Sequence, residues 1–197
     1  MNASTIDHRP AASSDWLKNY YFIRFAVAAA WVAVAFTVAK NMPPLAAVML
    51  VAYPAWDAVA NLVDARRSGP GHNKTQILNF VISTLTAIAV AVALGMSMNT
   101  VLEVFGVWAV LSGIFQLATA VRRWKSYGAQ WAMILSGAQS ALAGVFFVKM
   151  AGGTEMIGIT NVAPYAAFGA FYFLVSAVWL MVSDARRNSA RQPSRRT

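Results

Sequence analysis

The sequence predicts an all-α integral membrane protein, with six transmembrane helices forming three parallel-repeated hairpins and both termini cytoplasmic. Three observations predict it. Apolar stretches near 20–40, 44–65, 75–95, 101–121, 129–149 and 162–183 each suit a bilayer core of ~30 Å crossed at ~1.5 Å per residue. Threading the chain through six times sorts the basic residues. Arg9, Lys18, Arg24, Arg66, Arg67, Lys74, Arg122, Arg123, Lys125 and the arginines from Arg186 onward fall on one side, leaving Lys40 and Lys149 on the other. Basic residues stay cytoplasmic, so this asymmetry sets both the orientation and an even number of spans. Finally, each even-numbered helix closes on an arginine pair, at Arg66-Arg67, Arg122-Arg123 and Arg186-Arg187.

Along the chain, a polar cytoplasmic segment of residues 1–19 precedes the first span. That span is longer than a signal-peptide core and follows mostly polar sequence, so it reads as a retained helix. Asn41-Met42-Pro43-Pro44 turns it into the second span. Gly95 to Thr100 joins spans three and four, and Gly152 to Asn161 joins five and six. The transmembrane domain runs over 20–184, and the basic residues 185–197 read as a cytoplasmic tail without fixed structure. Trp16, Tyr20, Tyr21, Trp124, Tyr127 and Trp131 gather near the inner surface as a depth-setting aromatic belt.

The arginine pairs start 56 residues (66 to 122) and 64 residues (122 to 186) apart, and two of them sit in the tetrapeptide Asp-Ala-Arg-Arg. That spacing suggests a repeat of one hairpin, which predicts a bundle with approximate three-fold internal symmetry. Aligned on the pairs, Asp57, Gly113 and Ala177 share one depth, and Trp56, Ser112 and Ser176 the next. Gly106 with Gly113, and Ser136, Ser140 and Gly144, recur at helical spacing as close-packing seams.

Composition excludes several functions. The chain is 58% hydrophobic and 12% charged, against about 25% charged in a soluble domain. A net charge of +9 argues for anionic lipid headgroups at the cytoplasmic face and not for nucleic acid, because the charges flank the spans. The absence of cysteine removes disulfides, thiolate metal sites and cysteine nucleophiles. His8 and His72 are isolated in polar segments, so neither metal nor cofactor is expected. No zinc-protease, nucleophile-elbow or phosphate-loop motif occurs, which points away from an enzyme. Small-residue seams serve equally within one bundle or between copies, leaving a homo-oligomer open.

The candidate chemistry lies on the second span. Asp57 stands nine residues before Arg66, hence ~13 Å from the helix end and near mid-bilayer. An ionisable group there is costly unless paired or hydrated. Asn61 and Asp64 follow at spacings of four and three on the same face, and Tyr53 extends the stripe by one turn. Pro54 frees a carbonyl a turn below. Arg24 lies at a depth from which it can pair with Asp57 or Asp64, or snorkel. Gln116 and Gln139 complete the polar set, with Asn79 near the inner end of the third span. The cluster reads either as a buried salt bridge that sets helix register, or as a site that titrates, or passes protons or a small solute.

The runs Val107-Trp108-Ala109-Val110-Leu111-Ser112-Gly113-Ile114-Phe115-Gln116-Leu117 and Ala120-Val121-Arg122-Arg123-Trp124 resemble the HdeD-like family of bacterial six-span membrane proteins. Trp131 to Gly137 with Leu142-Ala143-Gly144, and Phe22-Ile23-Arg24, are similar to that family's fifth and first helices. The resemblance covers about residues 16–187 and implies the six-span fold, a multi-pass location in the bacterial cytoplasmic (inner) membrane and an association with acid resistance. Asp57, Asn61 and Asp64 match no general motif of the family.

Overall fold

A computed structural model of the protein describes residues 11–68, 74–123 and 130–190. His8, Arg9, His72, Trp124, Lys125, Tyr127 and the end of the tail, all noted in the sequence, lie outside them. Six α-helices account for nearly all of it: α1 (Ala11–Thr37), α2 (Pro43–Ser68), α3 (Lys74–Ala93), α4 (Met98–Arg123), α5 (Gln130–Ala151) and α6 (Ile159–Ala190). No strand occurs among the described residues. All six are long and apolar enough to cross a membrane. In a helix the backbone amides inside a bilayer find their partners within the same segment, apart from the carbonyls that an internal proline leaves free.

The helix ends follow local chemistry. A single 3-10 turn, Ala39–Asn41, separates α1 from α2, and Pro43 and Pro44 then open α2, where a missing N–H costs nothing. Ser97 caps α4, its Oγ accepting the Thr100 N–H at 3.0 Å, as an N-cap side chain should. Asn161 holds the entry to α6 by taking the Gly158 N–H at 2.8 Å. Two boundaries depart from the sequence reading. Helix α1 begins at Ala11 rather than near residue 20, and α6 continues to Ala190. Polar side chains do not stop a helix. On the first turns of α1, Lys18 meets Asp15 at 2.6 Å across one turn, a supporting pair of modest strength.

The chain forms two compact units. The larger is Trp31–Ala166; the smaller comprises α1 up to Ala30 and α6 from Ala167. Within the larger unit, α4 packs most intimately with α5, then α2 with α3, and α3 with α4 more loosely. The closest partners are thus joined through the links at 69–73 and 124–129, not through the turns that define the sequence repeat. Small residues explain this choice. Gly106 faces Gly144 and Gly113 faces Gly137, so close that a Cβ on Gly106 would stand 2.9 Å from the Gly144 carbonyl oxygen. On each helix the two glycines are seven residues apart, so the seam stays in contact over two turns. Ser140 Oγ reinforces it by donating to the Ala109 carbonyl at 2.9 Å.

Interior and exterior are inverted in size relative to a soluble bundle. Many buried side chains are alanines, among them Ala35, Ala58, Ala109, Ala163 and Ala166, around the larger Leu50, Leu102 and Phe105. Large apolar groups point outward, with Leu142 71% and Val92 64% exposed. Lipid tails satisfy such residues, while packing of small groups holds the helices together.

The core has one more directional contact. Trp31 Nε1 donates to the Met49 carbonyl at 2.9 Å, in the turn of α2 where Pro54 leaves the Leu50 carbonyl without its usual donor. Trp31→Phe should therefore lower stability by about 1 kcal/mol, the net value of one such bond. Unfolding titrations in mixed detergent would measure it, and an unchanged midpoint would remove Trp31 from the account of α2.

In the smaller unit, Lys18 also reaches Asp184 at 3.0 Å, tying α1 to α6. Ala177 is fully buried there, and Gly113 is buried in the larger unit. Both match the depth at which the repeat alignment places residues facing protein.

Candidate functional site

Asp57 occupies the middle of α2, half-buried. Its Oδ2 accepts a hydrogen bond from Ser83 Oγ on α3 at 2.7 Å and another from Asn61 Nδ2 at 2.9 Å. The same Asn61 nitrogen reaches the Asp57 carbonyl at 2.8 Å, so the amide is anchored to the backbone one turn away. Helical spacing of four makes this possible. Ser83 in turn accepts from Trp108 Nε1 on α4 at 3.3 Å. A chain of polar contacts thus runs from α2 through α3 to α4. Asn61 and Ser83 are buried, at 7% and 1% exposure.

On the side of Asp57 away from the arginine pair, aromatic rings close the core. Tyr53 lies edge-on to Trp108 at 5.8 Å and against Trp31 at 5.0 Å. Trp108 also meets Phe105 and Tyr165 edge-to-face, both at 6.0 Å, and Tyr165 meets Phe147 on α5. Edge-to-face contacts of this kind each add about 0.5–1.5 kcal/mol beyond area burial. The Tyr165 hydroxyl is 3.1 Å from Ser140 Oγ, which links this layer to the glycine seam.

The residues singled out from sequence separate into three places. Tyr53, Asp57 and Asn61 converge on one site, and Asp64 lies half-buried one turn beyond Asn61 on the same face. Gln116 is exposed on α4, where its Oε1 accepts from Ser136 Oγ at 3.3 Å. Gln139 is half-buried on α5. Arg24 belongs to the smaller unit, where Nη1 donates to the Tyr20 hydroxyl at 3.1 Å and the guanidinium lies 4.1 Å from the centre of the Phe173 ring. That cation–π contact is a favourable way to keep a guanidinium in apolar surroundings.

Sequence reasoning missed Ser83, Trp108 and Tyr165 as members of the site. Ser83 is one of several hydroxyl residues on α3, and nothing in its neighbours distinguishes it from Thr84 and Thr86. Those two turn their hydroxyls to backbone carbonyls one turn back, at 2.7 and 2.9 Å, whereas Ser83 turns outward to another helix. No cluster of three His, Cys, Asp or Glu able to hold a metal occurs among the described residues.

Residues 80–149 match the model of a family described as a short repeat of unknown function, DUF308. The matched segment begins in α3 and ends in α5, so it contains Ser83, Trp108 and the whole glycine seam but not Asp57. No curated protein matches the chain, and neither does any solved structure.

Proposed function

From a chain that carries the DUF308 repeat, the repeat of the HdeD-like membrane proteins, we propose a non-enzymatic protein of the bacterial inner membrane whose Asp57 site answers acidification. The reading extends to acid or envelope-stress tolerance, which the family resemblance suggests. The excess of arginine and lysine on one side supports cytoplasmic termini. The same charges suit anionic lipid headgroups.

The observation that carries the reading is the shared hydroxyl of Ser83, which donates to Asp57 and accepts from Trp108. A proton arriving on Asp57 Oδ2 turns an acceptor into a donor. Ser83 can then accept from both Asp57 and Trp108, since a hydroxyl has two lone pairs, and its own proton must find a new acceptor. Asn61 loses one of its two bonds. Protonation at a single carboxylate therefore rearranges contacts on α2 and α3 and reorients the hydroxyl that Trp108 on α4 meets. The apolar ring layer beyond Tyr53 favours a site that senses protons over one that conducts them across the membrane.

A second reading makes the site purely structural, with the protein modulating the bilayer or a partner complex. The tight glycine seam favours that reading, since it builds a rigid scaffold without any titrating group. One experiment separates the two. Protein reconstituted in liposomes is acidified while tryptophan emission is followed, with Trp108→Phe used to isolate the Trp108 contribution. Sensing predicts a pH-dependent Trp108 signal that disappears in Asp57→Asn. A signal unchanged in Asp57→Asn, or none in the wild type, supports the structural reading.

A further inference from the structure

We infer that protons reach Asp57 from the arginine-pair end of α2 alone, along a polar seam between α2 and α3 in which Gln76 binds a water or hydronium. This inference rests on the titrating role given to Asp57 above and adds the route and its direction.

The geometry starts from the pairing of α2 and α3. Five residues, 69–73, join them, and so short a link spans at most ~20 Å. Helix α2 has 26 residues, a length of ~39 Å. The chain cannot return to the start of α2, so the two helices run antiparallel. The Ser83–Asp57 hydrogen bond then sets their register. Four residues toward the arginine pair, Asn61 is level with Asn79. Seven residues on, ~10 Å along the axis, Asp64 is level with Gln76. This register puts polar residues of both helices at three successive levels, from the helix end to the Asp57–Ser83 pair.

A second observation comes from Gln76 itself. Its Oε1 is buried, and no hydrogen-bond donor reaches it among the described residues. A buried carbonyl oxygen without a donor is costly. A water supplies that donor where a site is polar enough to give it further partners. The same level holds the Asp64 carboxylate, a second acceptor, so a molecule that donates in two directions suits the pair. Water and hydronium both do so, and hydronium gains from the carboxylate charge.

The opposite direction is closed. The next levels beyond Asp57 hold Leu50 and Val90, both fully buried, and the rings of Tyr53, Trp31 and Trp108. The polar group at that depth on α3, Thr86, spends its hydroxyl on the Ile82 carbonyl.

The titratable and charged groups around Asp57 are few. Helix α2 contributes Tyr53 and Asp64 before Arg66 and Arg67, and α3 contributes none before Lys74 at its first residue. Helix α4 has Glu103, exposed and five residues from Trp108, and Arg122 and Arg123 at its last two positions. From α6 the Tyr165 phenol faces the site, and the part of α1 in this unit has none. Asp64 is therefore the one carboxylate on the proposed route.

The test uses the full-length protein in liposomes, oriented by protease accessibility of the tail, with infrared detection of the protonated carboxyl band. Subtracting Asp57→Asn spectra assigns the Asp57 component. The inference expects this band to rise when the arginine-pair side is acidified and not when the other side is. Gln76→Leu should lose the fast phase of the rise, while Thr86→Val keeps it. A band that rises equally from either side, or from the opposite side, overturns the inference and leaves the titrating role intact. So does an unaltered fast phase in Gln76→Leu. If that variant fails to insert, the sidedness of the wild type decides alone. A wild type with no Asp57 band at any pH overturns both the titrating role and the route.

Discussion

Replacing Gly113 with alanine is expected to destabilise the protein by about 2–3 kcal/mol, the upper range for overpacking a well-packed interface. The added Cβ would stand 2.5 Å from the Gly137 carbonyl oxygen and 2.6 Å from the Ala141 backbone nitrogen. Both are main-chain atoms of a helix and cannot rotate aside as a side-chain end would. Helices α4 and α5 would have to separate, and close approach is what holds two helices together in lipid. At Gly106 the nearest atom is a Val148 methyl, which can turn, and the closest backbone atom, the Gly144 carbonyl oxygen, stands at 2.9 Å, so Gly106→Ala should cost less. Unfolding by SDS titration, read by circular dichroism, would rank the two. Equal midpoints for Gly113→Ala and the wild type would show that the seam is looser than its geometry implies.

Ser83→Ala should give the other large effect, a loss of about 2–3 kcal/mol. Its single hydroxyl serves the half-buried Asp57 and the buried Trp108, and a buried partner left unsatisfied costs about 1–3 kcal/mol. Asp57 Oδ2 would lose its Ser83 donor, and the Trp108 indole N–H would face an apolar methyl. A double-mutant cycle with Trp108→Phe separates the two parts, because contacting residues of one network show a coupling that additive sites lack. Coupling near zero would mean that Trp108 Nε1, at 3.3 Å, contributes little to the site. Ser83→Thr retains the hydroxyl and should recover most of the loss if its methyl is tolerated.

Part of the site is legible in the amino-acid sequence. Asp57 stands out because depth in a membrane follows from position along a helix, and nine residues from an arginine pair is mid-bilayer. Asn61 and Asp64 share its face because the helical period dictates it. Tyr53 does so as well, although its partners are rings. Arg24 illustrates the limit of that reasoning. Depth along a helix says nothing of the direction a side chain takes, and within the smaller unit the Arg24 guanidinium lies over the Phe173 ring. Ser83 carries no signal, since a lone hydroxyl in an apolar helix usually bonds to its own backbone, as Thr84 and Thr86 do.

The glycines are legible in the same partial way. Seven-residue spacing marks Gly106 and Gly113 as one face, and Gly144 falls within the α5 series. That Gly137 opposes Gly113 depends on the register of two helices.

The sequence by itself determined the helical class and the six helices long and apolar enough to span, and placed Asp57 in the middle of the second. These are one-dimensional properties, set by hydropathy and charge against a slab of given thickness. The tertiary structure alone decided that α2 pairs with α3 and α4 with α5, and that Ser83 and Trp108 complete the site. In lipid no general apolar force selects partners. Pairing instead depends on where small residues let backbones meet and on how each helix is rotated about its axis.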